Sequence, residues 1–197
     1  MRLFQKNMRI LISAFILGVL CATPKSILAG NRNSRIHLSY VEESIPEAGT
    51  IRKTKVAFDS LSFVCQPPNA WTQEVDEENS RVQFRSFQLG AGISITTFPK
   101  NPVMPSSKGL RARLAQEFSD LEILEEYKAY TGGPEGTAFE IRQIVSGKFR
   151  VRMIVLYLST EQGMIQLKLA APEENFEKCR SCWVPFLNSF ATHRSEG

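Results

Sequence analysis

The chain has 197 residues, of which 43% are hydrophobic and 22% charged, and this suits a single globular domain with its own core. Its formal net charge of +4 comes from the first 29 residues, which hold four basic residues and no acidic one. The remaining residues carry 20 Lys and Arg against 20 Asp and Glu. They lack the excess of positive charge that holds phosphates, so we expect no nucleic-acid partner.

Residues 1–29 have the three parts of a cleavable secretory signal. Three basic residues among the first nine precede an almost wholly apolar run from Ile10 to Ala22, and Ala29 stands at a cleavage point. The alternative is a retained membrane anchor, but this run falls short of the roughly 20 residues that a membrane-spanning helix needs. We therefore predict export to the periplasm or the extracellular space, with no stable membrane span after cleavage.

Residues 30–54 are mainly polar and show little periodicity. This composition predicts a flexible N-terminal arm in front of one domain that spans residues 55–192. Residues 193–197 predict a disordered tail. Both histidines of the chain, His37 and His193, would then lie in the disordered ends.

Short strands are predicted in the first half of the domain. Residues 56–58 and 61–65 are apolar runs separated by a turn pair. Pro67 and Pro68 then stop the pairing, because proline has no backbone hydrogen to donate. Further on, the apolar residues of 81–87 and 93–98 predict two more strands.

The middle of the chain predicts one helix and then four strands. Ser106 or Ser107 can cap a helix whose buried stripe is Leu110, Leu114 and Phe118. The period then falls to two, and strands are predicted at 121–130, 137–145, 148–159 and 163–171. Residues 153–158 are apolar on both faces, as expected of a central strand that is covered on both sides.

A final helix is predicted after residue 172. Glu173 and Glu174 favour its start, because acidic side chains interact well with a helix N-terminus. Its apolar face would consist of Phe176, Cys179, Trp183, Phe186, Leu187 and Phe190. Pro185 removes a backbone hydrogen bond and predicts a kink or restart near Val184. Strands with helices between and after them indicate the α+β class, an antiparallel sheet with helices packed on it.

The order of these elements resembles the PsbP-like fold over about residues 54–192. The residues that carry the resemblance are Phe63, Pro67, Pro68, Trp71, Leu169, Ala170, Ala171, Phe176, Ser189 and Phe190. The superfamily includes the extrinsic subunit of photosystem II and small periplasmic proteins of the DcrB type. The resemblance implies an α/β/α sandwich that acts as a binding or assembly factor, with no catalytic residue. We expect no cofactor, and no metal because His37 and His193 are far from the cysteines in sequence.

Cys179 and Cys182 form the one motif with a chemical mechanism attached. Thiols at this spacing can cycle as a disulfide, and a helix N-terminus lowers a thiol pKa. The motif lies well inside the predicted helix, however, and Cys179 falls on its apolar face, which favours a structural role. Three cysteines lie beyond the signal, and the remaining one is Cys65. A disulfide from Cys65 to Cys179 or Cys182 would join helix to sheet and leave one cysteine unpaired.

Two loops are interpreted as turns rather than ligand sites. The acidic segment 74–79 lacks the glycine and the closing glutamate of a calcium loop, which favours a hairpin tip. The glycine-rich segment 131–136 leads from strand to strand, whereas a phosphate loop leads from strand to helix. No histidine stands in the middle of the domain to act as a general base.

The sequence therefore predicts an exported, non-enzymatic binding or assembly module of the periplasm or cell envelope. It would engage a protein partner through a sheet face or a loop cleft. Two alternatives stay open. One is a thiol–disulfide redox protein that uses Cys179 and Cys182, and the other is a structural envelope protein without a discrete ligand.

Overall fold

A computed structural model describes residues 36–45, 49–58, 61–99 and 105–193. Within these ranges the chain forms eleven β-strands and two α-helices. The predicted signal, the segment that follows it up to residue 35, and residues 194–197 lie outside the described residues.

The elements run as follows. The strands are β1 (Ile36–Ile45), β2 (Gly49–Phe58), β3 (Leu61–Cys65), β4 (Thr72–Asp76), β5 (Arg81–Ser86), β6 (Ala91–Pro99), β7 (Leu121–Tyr130), β8 (Glu135–Val145), β9 (Phe149–Thr160), β10 (Gly163–Pro172) and β11 (Ala191–His193). The helices are α1 (Ser107–Glu117) and α2 (Phe176–Ser189), and a single 3-10 turn (Glu173–Asn175) leads into α2.

The strands form two antiparallel sheets. The larger has seven strands in the order β4-β5-β6-β10-β9-β8-β7, and the smaller has four in the order β1-β2-β3-β11. The predicted α+β class is confirmed. The prediction of one sheet was incomplete, because the N-terminal strands and the chain end build the second.

The larger sheet is covered on both faces. α1 covers one face, whereas α2 and the smaller sheet cover the other. Strand β9 shows the division: Met153, Val155 and Tyr157 pack on the α1 side, and Ile154, Leu156 and Leu158 pack on the α2 side. All six are buried, so the prediction of a central strand covered on both sides is confirmed.

Helix α1 begins and packs as its local sequence predicts. The Ser106 Oγ accepts a hydrogen bond from the backbone N–H of Gly109 at 3.3 Å, which is the N-cap contact. Leu110, Leu114 and Phe118 are buried against the sheet.

Helix α2 continues through Pro185 to Ser189, so the expected restart near Val184 is wrong. Proline weakens a helix by removing one hydrogen bond, but packing on both sides of it holds this helix together. Trp183 precedes Pro185 and Phe186 follows it, and both are buried in the same core cluster, with ring centroids 5.5 Å apart.

The prediction of a flexible arm over residues 30–54 is wrong for residues 36–45 and 49–54, which lie in β1 and β2. Only one end of this hairpin reaches the core, so its polar composition reflects exposure rather than disorder. Val56 and Phe58 are buried on the inner face of β2 and Ile36 on that of β1.

The predicted disordered tail is wrong at its first residue, because His193 ends strand β11, which pairs with β3. Phe190 explains the pairing. Its ring is fully buried and lies 5.0 Å from the ring of Phe63 on β3, which brings the chain end alongside that strand. His37, expected in a disordered end, lies in β1.

Candidate functional site

The β1–β2 hairpin is buried at one end and exposed at the other. The two strands pair in unbroken register from Ile36 opposite Phe58 to Ile45 opposite Gly49. Ile36 is buried, whereas Tyr40 is 57% exposed and Val41 is 39% exposed. Because successive side chains of a strand point to opposite faces, the two exposed residues lie on different faces of β1.

Local interactions order the exposed half of the hairpin. The Arg52 guanidinium carbon lies 3.7 Å from the centroid of the Tyr40 ring, a cation–π contact. Lys53 forms an ion pair with Glu43 across the two strands. The exposed surface is therefore built from side chains that already contact one another.

The two sheets together have four edge strands, and three of them carry features that discourage pairing with another chain. β11 has three residues and β4 has five. β7 has a register shift between Ile123 and Glu125 and holds four charged residues. Short strands, bulges and charges are the usual protection of a sheet edge.

β1 has less of this protection. It has ten residues in regular register, contains neither proline nor lysine, and holds two charged residues, Glu42 and Glu43, against four in β7. Among the described residues its one strand partner is β2, so its other edge presents backbone N–H and C=O groups. β1 is therefore the edge best suited to accept another strand.

A network of buried polar side chains holds α1 against the large sheet. The Lys168 Nζ lies 3.1 Å from the Glu117 Oε1, and the Gln166 Nε2 donates to the Glu117 Oε2 at 3.0 Å. The Gln166 Nε2 also contacts the Tyr157 hydroxyl oxygen at 3.1 Å. Burial, reinforced by the negative charge of Glu117, raises the pKa of Tyr157 well above its ordinary value. Burial and the Glu117 charge therefore keep Tyr157 protonated, and Glu117 also gives the Lys168 ammonium a partner inside the fold.

A second network lies under α2. Glu140 on β8 is buried and accepts a hydrogen bond from Arg152 on β9, and its other carboxylate oxygen lies 3.3 Å from the Arg180 guanidinium of α2. The Arg152 guanidinium carbon lies 4.3 Å from the Phe176 ring centroid. These contacts tie two strands to the terminal helix.

The acidic segment 74–79 contains the end of β4 and the start of the hairpin tip between β4 and β5, so the interpretation as a tip holds for residues 77–79 and is wrong for residues 74–76. Asp76 accepts hydrogen bonds from Asn79 and pairs with Arg81. Burial opposes ionisation of Asp76, but these hydrogen bonds and the Arg81 charge outweigh it and lower the pKa of the carboxyl group. In the described part of the chain, no group of three or more His, Cys, Asp or Glu residues is arranged to hold a metal ion.

Residues 131–134 of the glycine-rich segment connect β7 to β8, as interpreted from the sequence, whereas Glu135 and Gly136 already belong to β8. The backbone N–H of Gly132 donates to the Leu187 carbonyl at 3.0 Å, so the turn satisfies one of the last carbonyl groups of α2. A Cβ added at Gly132 would lie 2.5 Å from the Asn188 carbonyl oxygen, which explains the glycine.

The three described cysteines are free thiols. Cys65 and Cys179 are buried in one hydrophobic cluster, whereas Cys182 is half-buried. Burial raises the pKa of Cys65 to about 12, and burial followed by the nearby Cys182 raises the pKa of Cys179 to about 12. Because the thiolate is the reactive form, these environments disfavour thiol chemistry at both residues.

Sequence reasoning missed the hairpin, although a signal was present. Ile36, Leu38 and Tyr40 alternate with polar residues, which indicates a strand. The alternation covers only the first half of β1, because the other half leaves the core.

No helix within the described ranges combines the length and apolar character that crossing a membrane requires.

Comparison with known proteins gives similar structures but no matching sequence. No family model and no curated protein matches this chain. The solution structure of cyanobacterial PsbP from Synechocystis is similar at 14% identity, with 87% of this chain and 100% of that one covered and a TM-score of 0.49.

Two crystal structures are also similar. Mycobacterium tuberculosis LpqN, which is involved in cell envelope biogenesis, is 13% identical over 82% of this chain and 93% of its own, with a TM-score of 0.43. Pseudomonas aeruginosa PA94, a protein of unknown function, is 10% identical over 74% of this chain and 91% of its own, with a TM-score of 0.45. A PsbP is thus among the similar structures, but at these scores the function has to be argued from the residues of this chain.

Proposed function

We propose that this chain is an exported, non-catalytic binding or assembly module of the periplasm or the extracellular space, and that it engages a protein partner through the β1–β2 hairpin. The observation that carries the proposal is the long and regular edge of β1, which has fewer protective features than the other three edges. Such an edge can extend its sheet with a strand from another chain, because the backbone groups of both strands then pair.

The side chains of the hairpin support a protein partner. Tyr40 and Val41 offer apolar contact on the two faces of β1, and Arg52 stacks on Tyr40. Tyrosine and arginine are enriched among the residues that contribute most to protein–protein binding.

The buried polar groups support a non-catalytic role. Glu117 and Lys168 are bound to each other inside the fold, and Glu140 is bound by two arginines. These contacts hold helices to the large sheet. The raised pKa values of Cys65 and Cys179 count against the redox alternative, because the reactive thiolate is disfavoured at both residues.

The export part of the proposal rests on residues 1–29. N-terminal sequencing of the exported protein is expected to begin near Gly30. A protein that begins at Met1 and stays in the membrane fraction would contradict export as a soluble module.

Site-specific photocrosslinking in the native host tests the interaction surface. A photoreactive amino acid at position 41 is expected to crosslink a protein, because Val41 lies on the proposed edge. The matched control is position 184, where another exposed valine lies on α2, 53% exposed and far from β1 in the chain. Equal crosslinking at both positions, or at neither, would contradict the proposal.

A further inference from the structure

The sequence of β1 makes a second copy of this chain a suitable partner for that edge. On the basis of the proposed function, we infer that β1 pairs antiparallel with β1 of a second copy, about a two-fold axis through Tyr40. The two four-stranded sheets would then join into one sheet of eight strands.

Pairing geometry limits the register to a few choices. Residues directly opposite each other in an antiparallel pair lie on the same face of the sheet. A two-fold axis through Tyr40 places Tyr40 opposite itself, Ser39 opposite Val41 and His37 opposite Glu43. Residues 36–44 of each copy then pair along almost the whole strand.

Charge favours this register over the registers centred on Val41 and Glu42. With the axis at Val41, Glu43 faces Ser39 instead of a basic group. With the axis at Glu42, two glutamates face each other, which is destabilising. The axis at Tyr40 gives each Glu43, which already pairs with Lys53 of its own chain, an imidazole from the other copy as well, and this happens twice because of the symmetry.

The exposed ring of Tyr40 also supports a two-fold axis at this residue. Two Tyr40 side chains would lie next to each other across the interface, and aromatic pairs of this kind stabilise adjacent strands. Each ring already has the Arg52 guanidinium of its own chain at 3.7 Å. Pairing would therefore cover the residue that is most exposed among the described large hydrophobic residues of β1.

Disulfide trapping tests the register. The exported chain carrying Cys182→Ala, which removes the described thiol that is not buried, is the background. Tyr40→Cys is expected to give a covalent dimer under mild oxidation, because opposite residues lie within the roughly 7 Å that a disulfide spans. Val41→Cys alone is expected to give none, whereas Val41→Cys mixed with Ser39→Cys is expected to give a mixed dimer.

Charge reversal provides an independent readout by sedimentation equilibrium. His37→Glu places two like charges opposite each other in both halves of the interface and is expected to weaken self-association roughly tenfold. Adding Glu43→Gln removes the repulsion without placing a second lysine beside Lys53, and is expected to recover part of the association.

Two outcomes would overturn the inference. One is a protein that stays monomeric at every concentration and gives no Tyr40→Cys dimer, and the other is trapping by Val41→Cys alone at the same yield. If the protein is monomeric but position 41 crosslinks a different envelope protein, the self-pairing fails while the proposed function stands.

Discussion

The seven-stranded sheet and the β1–β2 hairpin differ in what their side chains do. In the large sheet, β10 is buried at all ten positions and β9 at seven of twelve, and even the lysine and the glutamine of β10 have partners inside the fold. In the hairpin, the outer half of both strands is exposed and ordered by its own cross-strand contacts. The difference separates stability, which depends on the large sheet, from interaction, which we assign to the hairpin. Substitutions in the first region should therefore unfold the protein, and substitutions in the second should leave it folded.

Gly136→Ala in β8 should have the largest effect on stability. An added Cβ would lie 2.1 Å from the Tyr157 carbonyl oxygen and 2.8 Å from the Leu158 side chain, so strands of the central sheet would have to separate. We expect a loss of about 4 kcal/mol in the free energy of unfolding, measured by urea titration. Gly133→Ala is the control, because its Cβ would make only ordinary contacts, at 3.5 Å or more.

Lys168→Met should have the next largest effect on stability, because it leaves the Glu117 carboxylate buried without its ammonium partner. Loss of one member of a buried ion pair costs about 3–5 kcal/mol. The double variant Lys168→Met with Glu117→Gln should recover much of the loss in the same titration. A single variant as stable as the parent would show that the pair is solvated.

Cys179 tests the packing of α2 on the sheet. It is fully buried, so Cys179→Asp would place an unpaired charge in the core and should lower the free energy of unfolding by about 3 kcal/mol. Cys179→Ala keeps a small apolar group and should be tolerated. Equal melting temperatures for the two variants would show that this side chain is not buried.

The elements that were predicted correctly are those with local signals. Helix α1 has its cap at Ser106 and its stripe at Leu110 and Leu114 within a few residues of one another, and both were predicted. β4 was missed because it is short and mostly polar, as an edge strand can be. β11 was missed because it depends on the contact of Phe190 with Phe63, and these two residues are far apart in the chain.

The buried ion pair and the interaction edge were harder to predict, because both depend on residues that are far apart in the chain. Glu117 and Lys168 are 51 residues apart, and no spacing in the sequence links them. The hairpin was interpreted as an arm because exposed strand positions have the composition of a linker. An edge strand can be recognised as unprotected only after the topology shows which strands are edges.

Asp76 should have a smaller effect that depends on pH. Its pKa is lowered in the folded protein from the ordinary value of 3.8, so its contribution is present above that value and is lost as the pH falls through the folded pKa. The stability difference between the parent and Asp76→Asn should therefore be under about 1 kcal/mol at pH 7 and should vanish in strong acid. A difference that stays constant from pH 7 to pH 2 would show that the ionised carboxylate is not responsible.

Val41→Lys should have the smallest effect on folding, because the side chain is exposed on the hairpin. We expect the free energy of unfolding to change by no more than about 0.5 kcal/mol. Val184→Lys, on the exposed side of α2, is the matched control and should behave in the same way. A loss of several kcal/mol from Val41→Lys would mean that the hairpin belongs to the stabilising part of the molecule.

The separation of stability from interaction is tested most directly by placing a photoreactive residue at position 39 of β1 and comparing crosslinking in the parent, in Val41→Lys and in Val184→Lys. Lysine on a strand edge disfavours pairing with another strand. The account predicts that Val41→Lys abolishes the crosslink while the protein stays as stable as the parent, and that Val184→Lys changes neither. Undiminished crosslinking in the Val41→Lys protein would contradict the assignment of β1 as the interaction edge.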